Sequence, residues 1–445
     1  MASPTLPGAR RAGIMVRMGA TIAVFTRDLR VRDNPVLAAA CRGADRVVPL
    51  FVRDPRVLSS EFSLGRKDFL EECLSNVDSS LRARGGRLVL RDGDPVEQIA
   101  RVADEVDARR VHLAGDVSAY ARRRADALTD ALGRRELVIH DDVHAVVPPG
   151  RVLPAGRDHF AVFGPYFRRW QEAPTRREVP APRRIAVPES VRSARCAART
   201  GGETAARRRL SAWVNGGLGD YAEHHDLLAV DGTSRLSPYL HLGCVSPLEL
   251  ARRAGPGAFT RQLAWRDFHL QVLAARPDTT HRDYRPRGDR WREDPQALRA
   301  WQDGLTGIPI VDAGLRQLRT EGWMHNRARL ITASFLTKTL YLDWRAGAAH
   351  FFRWLLDGDL ANNCLNWQWV AGTGTDTRPN RVLNPLRQAA RYDPDGEYVR
   401  RHVPELSHLP ASTIHTPWRH RGRVDYPPPV VDLAEGRARF LAARR

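Results

Sequence analysis

Residues 21–52 read TIAVFTRDLRVRDNPVLAAACRGADRVVPLFV, and the periods within this stretch decide the first half of the fold. TIAVF at 21–25 and VVPLFV at 47–52 are apolar runs of strand length, and 33–42 between them has helical spacing. The alternation continues with RLVLR at 87–91, RVHLA at 110–114 and ELVIH at 136–140, separated by helical stretches at 66–84, 95–107 and 118–132. Asp94, Pro95 and Glu97 predict an N-cap, a first-turn proline and a capping-box glutamate. Strands alternating with helices predict a parallel, doubly wound sheet. Ligands of such sheets sit beyond the carboxyl ends of the strands. The turn after the first strand, Thr26-Arg27-Asp28-Leu29-Arg30, lacks G-x-G-x-x-G, so the ordinary dinucleotide fingerprint is absent.

Outward from this region the character changes. The expected order is a disordered leader at 1–19, an α/β domain at 20–147, a connector at 148–202, a helical domain at 203–418 and a basic tail at 419–445. In the connector, His159 to Trp170 is aromatic enough to pack on something, whereas 174–202 reads as an exposed crossover rich in Pro, Arg, Ala and Ser. None of the eleven tryptophans precedes Trp170, and ten fall between Trp213 and Trp418, which places the active site in the helical domain.

Composition sets the bounds. The 445 residues exceed one ordinary core, and 42% hydrophobic content excludes a disordered chain. No apolar run reaches the ~20 residues a membrane helix needs. The start has arginines but no apolar signal region. The five cysteines are scattered without a C-x-x-C pair, against both structural zinc and a disulfide framework, and a reducing cytoplasm is the simplest compartment. The net charge of +19 fits a polyanionic partner, nucleic acid first, and fits a solvated basic surface equally well.

Four segments carry the chemistry. In 233–250, Ser237-Pro238 and Ser246-Pro247-Leu248-Glu249 read as two capped helix starts. Thr233, Ser234 and Ser237 suit a pyrophosphate at such a start. In the helix 262–276, Gln262, Trp265, Arg266 and His269 share one face, which suits an unstacked base beside a phosphate. In 322–336, Asn326, Leu330 and Ala333 share a face, Arg327 points elsewhere and Arg329 is placed to pair with a carboxylate. Residues 357–369, DGDLANNCLNWQW, supply Asp357 and Asp359, which fit either metal ligands or a capped helix start; no His or Cys cluster completes a metal site. No nucleophile constellation and no Walker loop are present. A tryptophan-rich region without acid–base machinery points to redox chemistry on an organic cofactor.

Taken together, FTRDLRVRDNPVL at 25–37, TSRLSPYLHLG at 233–243, QLAWRDFH at 262–269, GWMHNRARLITASFLTK at 322–338, DWR at 343–345, DGDLANN at 357–363 and NWQWVAGTGTD at 366–376 resemble the photolyase/cryptochrome family. The resemblance runs from about 21 to 418 and is closest to an actinobacterial branch of the class I DNA photolyases. It implies an antenna domain followed by a helical FAD domain. It implies that FAD is held by Tyr221, Thr233, Ser234, Arg235, Leu236, Ser237, Asn326, Arg329, Asp357, Gly358 and Asp359, with Asn363 facing the flavin. The implied electron relay is Trp367, Trp344 and Trp291, from the flavin outward. The implied substrate contacts are Gln262, Trp265, Arg266, His269, Asn326, Arg327, Leu330, Trp369 and Gln388.

The implied activity is light-driven splitting of cyclobutane pyrimidine dimers in ultraviolet-damaged DNA, by a monomer with no metal. The loop Gly115 to Tyr120 resembles the branch whose antenna is an 8-hydroxy-5-deazaflavin rather than a folate. Three positions depart from the commonest pattern: Gln262 for glutamate, Leu330 for methionine, and Arg378-Pro379-Asn380-Arg381 where two adjacent aromatics are usual. The alternatives are a cryptochrome-like photoreceptor, which usually has a long extension after the FAD domain, and a flavoprotein of other redox function.

Overall fold

The computed structural model describes residues 19–42, 44–58, 64–194, 199–420 and 424–444. The leader expected at 1–19 lies, Gly19 apart, outside the described residues. Five parallel strands, β1 (Ala20–Val24), β2 (Arg46–Arg53), β3 (Val89–Asp92), β4 (Ala108–Ala114) and β5 (Glu136–His140), form one sheet in the order β3-β2-β1-β4-β5. The order reverses between β1 and β4, where a doubly wound sheet opens a crevice at its carboxyl edge. The helices are α1 (Pro35–Arg42), α2 (Leu64–Arg82), α3 (Pro95–Glu105) and α4 (Ala119–Leu132).

Period-two alternation assigns the two faces. Ile22 and Val24 pack with Ile99 and Val102 of α3 and Leu128 of α4. Ala23 and Phe25 pack with Leu37 of α1 and with Leu74 and Val77 of α2. That second core continues into the helical domain through Trp213, Leu263 and Phe268. Asp94 caps α3 by accepting from the N–H groups of Val96 and Glu97. The capping box expected there is not closed, because the Glu97 carboxylate turns to Arg101 one turn on. Ser246 likewise caps its helix, while Glu249 pairs with Arg207 instead of the cap.

The connector is more embedded than its composition predicts. The helix Phe163–Glu172 lies against the helix Ala258–Ala275, and Trp170 Nε1 donates to Asp267 at 2.9 Å. Asp267 also accepts from the N–H groups of Val146 and Val147, and burial pushes its carboxyl up to about 6. The expected exposed crossover anchors itself with buried Ile185 and Val191 and with backbone bonds to Val47, Arg84 and Leu90. The expected basic tail ends in a helix, Leu433–Ala443, whose Phe440 is wholly buried, and Arg444 pairs with Asp289 at 2.7 Å.

The turn after β1 is the junction between the domains. Leu29 N–H donates to Leu242 O at 3.0 Å, Arg30 Nη1 to Gly243 O at 2.9 Å, and the N–H groups of Val31 and Arg32 to Glu203. Gly243 has φ +70°, and a Cβ there would run into the backbone of Arg27 and Asp28. Gly243→Ala is therefore expected to cost about 3 kcal/mol through left-handed strain and backbone overlap. The check is the denaturant midpoint of the variant, which an unaffected junction would leave in place.

Candidate flavin and substrate site

One cavity of about 430 Å³ collects most of the residues the sequence singled out. Its wall takes Tyr221 and the run Thr233 to Ser237 from the TSRLS segment, and Gln262, Trp265, Arg266 and His269 from one face of the helix Ala258–Ala275. Asn326, Arg329 and Leu330 come from the helix Asn326–Ser334, and Asp357, Asp359 and Trp369 from the DGDLANN–NWQW segment. A smaller recess of about 80 Å³ continues past Asn326 and Leu330 to Asn363 and Trp367. Gln262 and Asn326 are exposed, Trp265, Leu330 and Trp369 are half-buried, and Asp357, Asp359 and His269 are buried. The aromatic and amide groups thus stand nearer solvent than the carboxylates.

Local geometry explains these positions. Arg235 has φ +47°, which turns the chain early and makes Leu236 the residue before the helix Ser237–His241. Ser237 is therefore the first helical residue rather than the N-cap, and its hydroxyl makes no capping bond. Asp359 is the N-cap of the helix Leu360–Ala371, accepting from Asn362 N–H at 2.8 Å. Arg329 Nη2 pairs with both oxygens of Asp357, at 3.1 and 2.9 Å, and its Nε donates to Met324 O. Trp265 has one face covered by Phe163, stacked at 3.7 Å between centroids. Arg381 lies over Trp369, 5.1 Å from the ring centre.

Other expected site residues lie off this wall. Arg327 turns away to Asp226 and packs over Tyr392. Gln388 lines neither space, and its Oε1 is buried without a partner among the described residues. Gly358 faces a different cavity, described below. Arg266 is turned inward and donates to the His144 carbonyl, so it lines the cavity rather than an outer face where a DNA phosphate would run. Of the relay candidates, Trp367 and Trp344 are buried and Trp291 is partly exposed. Trp367 touches Trp301 and Phe351, Trp344 Nε1 donates to Asp283 at 2.8 Å, and Trp291 lies against Tyr341.

Residues 21–184 match the family described as DNA photolyase, and residues 259–445 match the FAD binding domain of DNA photolyase. The chain is 55% identical over 452 residues to a deoxyribodipyrimidine photo-lyase of Streptomyces griseus, covering 96% of this chain and 99% of that one. This chain belongs to the DNA photolyase family. Among solved structures of the family, a class III photolyase from Agrobacterium tumefaciens superposes with a TM-score of 0.88 at 30% identity, covering 98% of each chain. A photolyase from Sulfolobus tokodaii, described with two FAD molecules that imply a novel light-harvesting cofactor, superposes with a TM-score of 0.85 at 27% identity, covering 95% of this chain and 99% of that one.

The helical half of this photolyase-family chain is an FAD-binding domain, and its cavity has the chemistry for that group. Thr233, Ser234 and Ser237 offer hydroxyls and Arg235 and Arg329 offer guanidinium groups, a set suited to phosphate and ribityl oxygens. Two buried ring nitrogens on the wall, His241 Nδ1 and His269 Nε2, have no partner among the described residues, and buried polar atoms of this kind mark a ligand's place. Burial keeps both imidazoles neutral: His269 is pushed down to about 4, and His241, with Arg66, Arg27 and Arg266 nearby, is also lowered. His241 and the contact of His269 with Asn362 escaped the sequence reading, although both lie inside quoted motifs. A lone histidine in SPYLHLG carries no periodic signal.

A second cavity, of about 380 Å³, opens at the carboxyl ends of β1, β2 and β4, at the reversal of strand order. Phe51, Phe69, Tyr120, Arg66 and Phe352 line it, and so does part of the Gly115–Tyr120 loop. It shares His241 and Asp359 with the flavin cavity.

Proposed function

We propose that this chain is a deoxyribodipyrimidine photo-lyase, repairing cyclobutane pyrimidine dimers in ultraviolet-damaged DNA under light. The observation that carries this reading is the gathering of the phosphate-type and the aromatic residues around one cavity. Bound in its reduced state, FAD would supply the photoexcited electron that splitting a cyclobutane dimer requires, held by Tyr221, the run Thr233 to Ser237, Arg329 and Asp357. The protein's own part is to bind, to orient and to exclude water. Trp265, already stacked on Phe163, and Trp369, under Arg381, are walls for a flipped-out dimer. Gln262 reaches base edges from the exposed rim, and Leu330 is an apolar floor. Arg329, locked to Asp357, holds the deeper ligand in register. Burial pushes His269 down to about 4, so it presents no imidazolium proton to the cavity at neutral pH.

Cyclobutane dimers are favoured over (6-4) photoproducts because, by the family resemblance, Leu330 matches the position at which animal-type (6-4) enzymes carry a histidine for proton transfer, and an alkyl group moves no proton. The protein works as a cytoplasmic monomer; the free thiols of Cys41, Cys73, Cys244 and Cys364 suit a reducing compartment. No helix among the described residues is long and apolar enough to cross a membrane.

Two defined oligonucleotides, one per lesion, illuminated with reduced protein and separated by chromatography, test the assignment. Restoration of the cyclobutane strand alone is expected; restoration of the (6-4) strand alone overturns the lesion choice, and restoration of neither favours a photoreceptor.

Trp367, Trp344 and Trp291 would hold the route for electrons to oxidised FAD; Trp367 lines the recess beside the cavity and Trp291 is partly exposed, which supports these two as its inner and outer ends. Trp344→Phe is expected to slow photoreduction at least tenfold with FAD retained and dimer repair by pre-reduced protein unchanged. An unchanged photoreduction rate removes Trp344 from the route.

The second cavity takes an 8-hydroxy-5-deazaflavin antenna. Its aromatic lining and its position at the strand ends support a flat chromophore. Expression in a deazaflavin-producing host is expected to add a second bound chromophore; recovery of a folate alone contradicts this choice.

A further inference from the structure

Arg27 belongs to the sheet domain, yet its guanidinium ends on the helical one. Nη1 donates to Asp359 Oδ2 at 2.7 Å, and Nε donates to Asp116 Oδ2 at 3.0 Å. Asp359 is 6% exposed, and Arg27 is the cation in hydrogen-bond contact with it among the described residues. The other oxygen, Oδ1, accepts from Asn362 N–H at 2.8 Å and from Asn362 Nδ2 at 2.7 Å. Because an ionised carboxylate only accepts, the amide of Asn362 is fixed with its NH₂ toward Asp359 and its oxygen away. That oxygen lies 2.9 Å from His269 Nδ1. His269 Nδ1 must then carry the proton, which leaves Nε2 as an acceptor. Nε2 is the atom that lacks a partner, and His269 lines the flavin cavity.

A chain of bonds thus runs from Asp116 on the sheet through Arg27, Asp359 and Asn362 to His269. We propose that Arg27 is a positioning residue of the flavin cavity: it holds Asp359 in place and compensates its charge, and through Asn362 it sets the tautomer that His269 presents to the cavity. Without the guanidinium, Asp359 loses the cation bonded to it and keeps only the non-bonded charges of Arg266 and Arg66 in the wall that receives the anionic cofactor, and the amide of Asn362 is free to flip. The inference rests on FAD as the occupant of that cavity. It adds that FAD is held fully only when the first turn of the sheet domain is docked.

The test is FAD release from the holoprotein on dilution, followed by the fluorescence of freed flavin. Arg27→Gln is expected to release FAD with at least a tenfold higher dissociation constant. Arg27→Lys, which keeps the charge at Asp359, is expected to recover most of the loss, and Asp116→Asn, which leaves the Arg27–Asp359 bond, to stay within threefold of the parent. Nitrogen NMR of histidine-labelled protein, assigned with His269→Asn, is expected to show the Nδ1–H tautomer of His269 in the parent and a mixture in Arg27→Gln. Equal FAD affinity in Arg27→Gln and the parent overturns the proposal, as does Asp116→Asn weakening FAD as much as Arg27→Gln. Where Arg27→Gln does not fold, the parent spectrum decides: His269 in the Nδ1–H form supports the proposal, and the Nε2–H form overturns it. A parent protein that takes up no FAD sinks the cofactor reading itself.

Discussion

A turn buried between two domains must have every backbone group and every charge answered, and the turn from Thr26 to Arg32 meets that demand largely from the far side. Leu242 and Gly243 accept from Leu29 and Arg30, Glu203 accepts from Val31 and Arg32, and Asp359 meets Arg27. In a nucleotide-binding sheet this turn is where glycines let a phosphate approach. Here its arginines reach into the helical domain, and the crevice beside it becomes a second cavity. The position of both cavities, and the wall they share, follows from that single docking.

The same constraint shapes the electrostatics. Arginines in the wall of the flavin cavity are already engaged, Arg329 with Asp357 and Arg266 with the His144 carbonyl, and behind the wall Arg27 holds two aspartates. Such cations are fixed in direction, so a ligand meets dipoles that need little rearrangement. The histidines of the wall are neutral for the complementary reason, since burial and neighbouring cations both oppose a further positive charge.

Much of this was legible in the sequence because it is periodic or strung on contiguous motifs. The five strands declare themselves by apolar runs, and Gln262, Trp265, Arg266 and His269 by helical spacing. What escaped are properties of pairs distant in sequence. That Arg266 faces inward depends on His144, and that Arg327 turns aside depends on Asp226, neither of which its own helix announces. Ser237 missed its expected capping role because Arg235 adopts a left-handed conformation two residues earlier, which spacing does not reveal. The embedded second half of the connector was obscured by its composition: Ile185 and Val191 are scattered in a run dominated by Pro, Arg, Ala and Ser, and their burial is set by the sheet edge and the helix they reach.

The docking of the first turn also bears on how such chains can be recombined. Arg27, Arg30 and Asp116 lie on one side of residue 117, and Gly243 and Asp359 lie on the other. Any crossover between Asp116 and Leu242 separates the two sets and passes each to a different parent. A hybrid then carries a guanidinium facing a foreign carboxylate position, or a side chain where the close approach at Gly243 leaves no room. The sheet and the helices are two bodies in outline, but for purposes of inheritance they are one unit, exchangeable only together with the residues that clasp them.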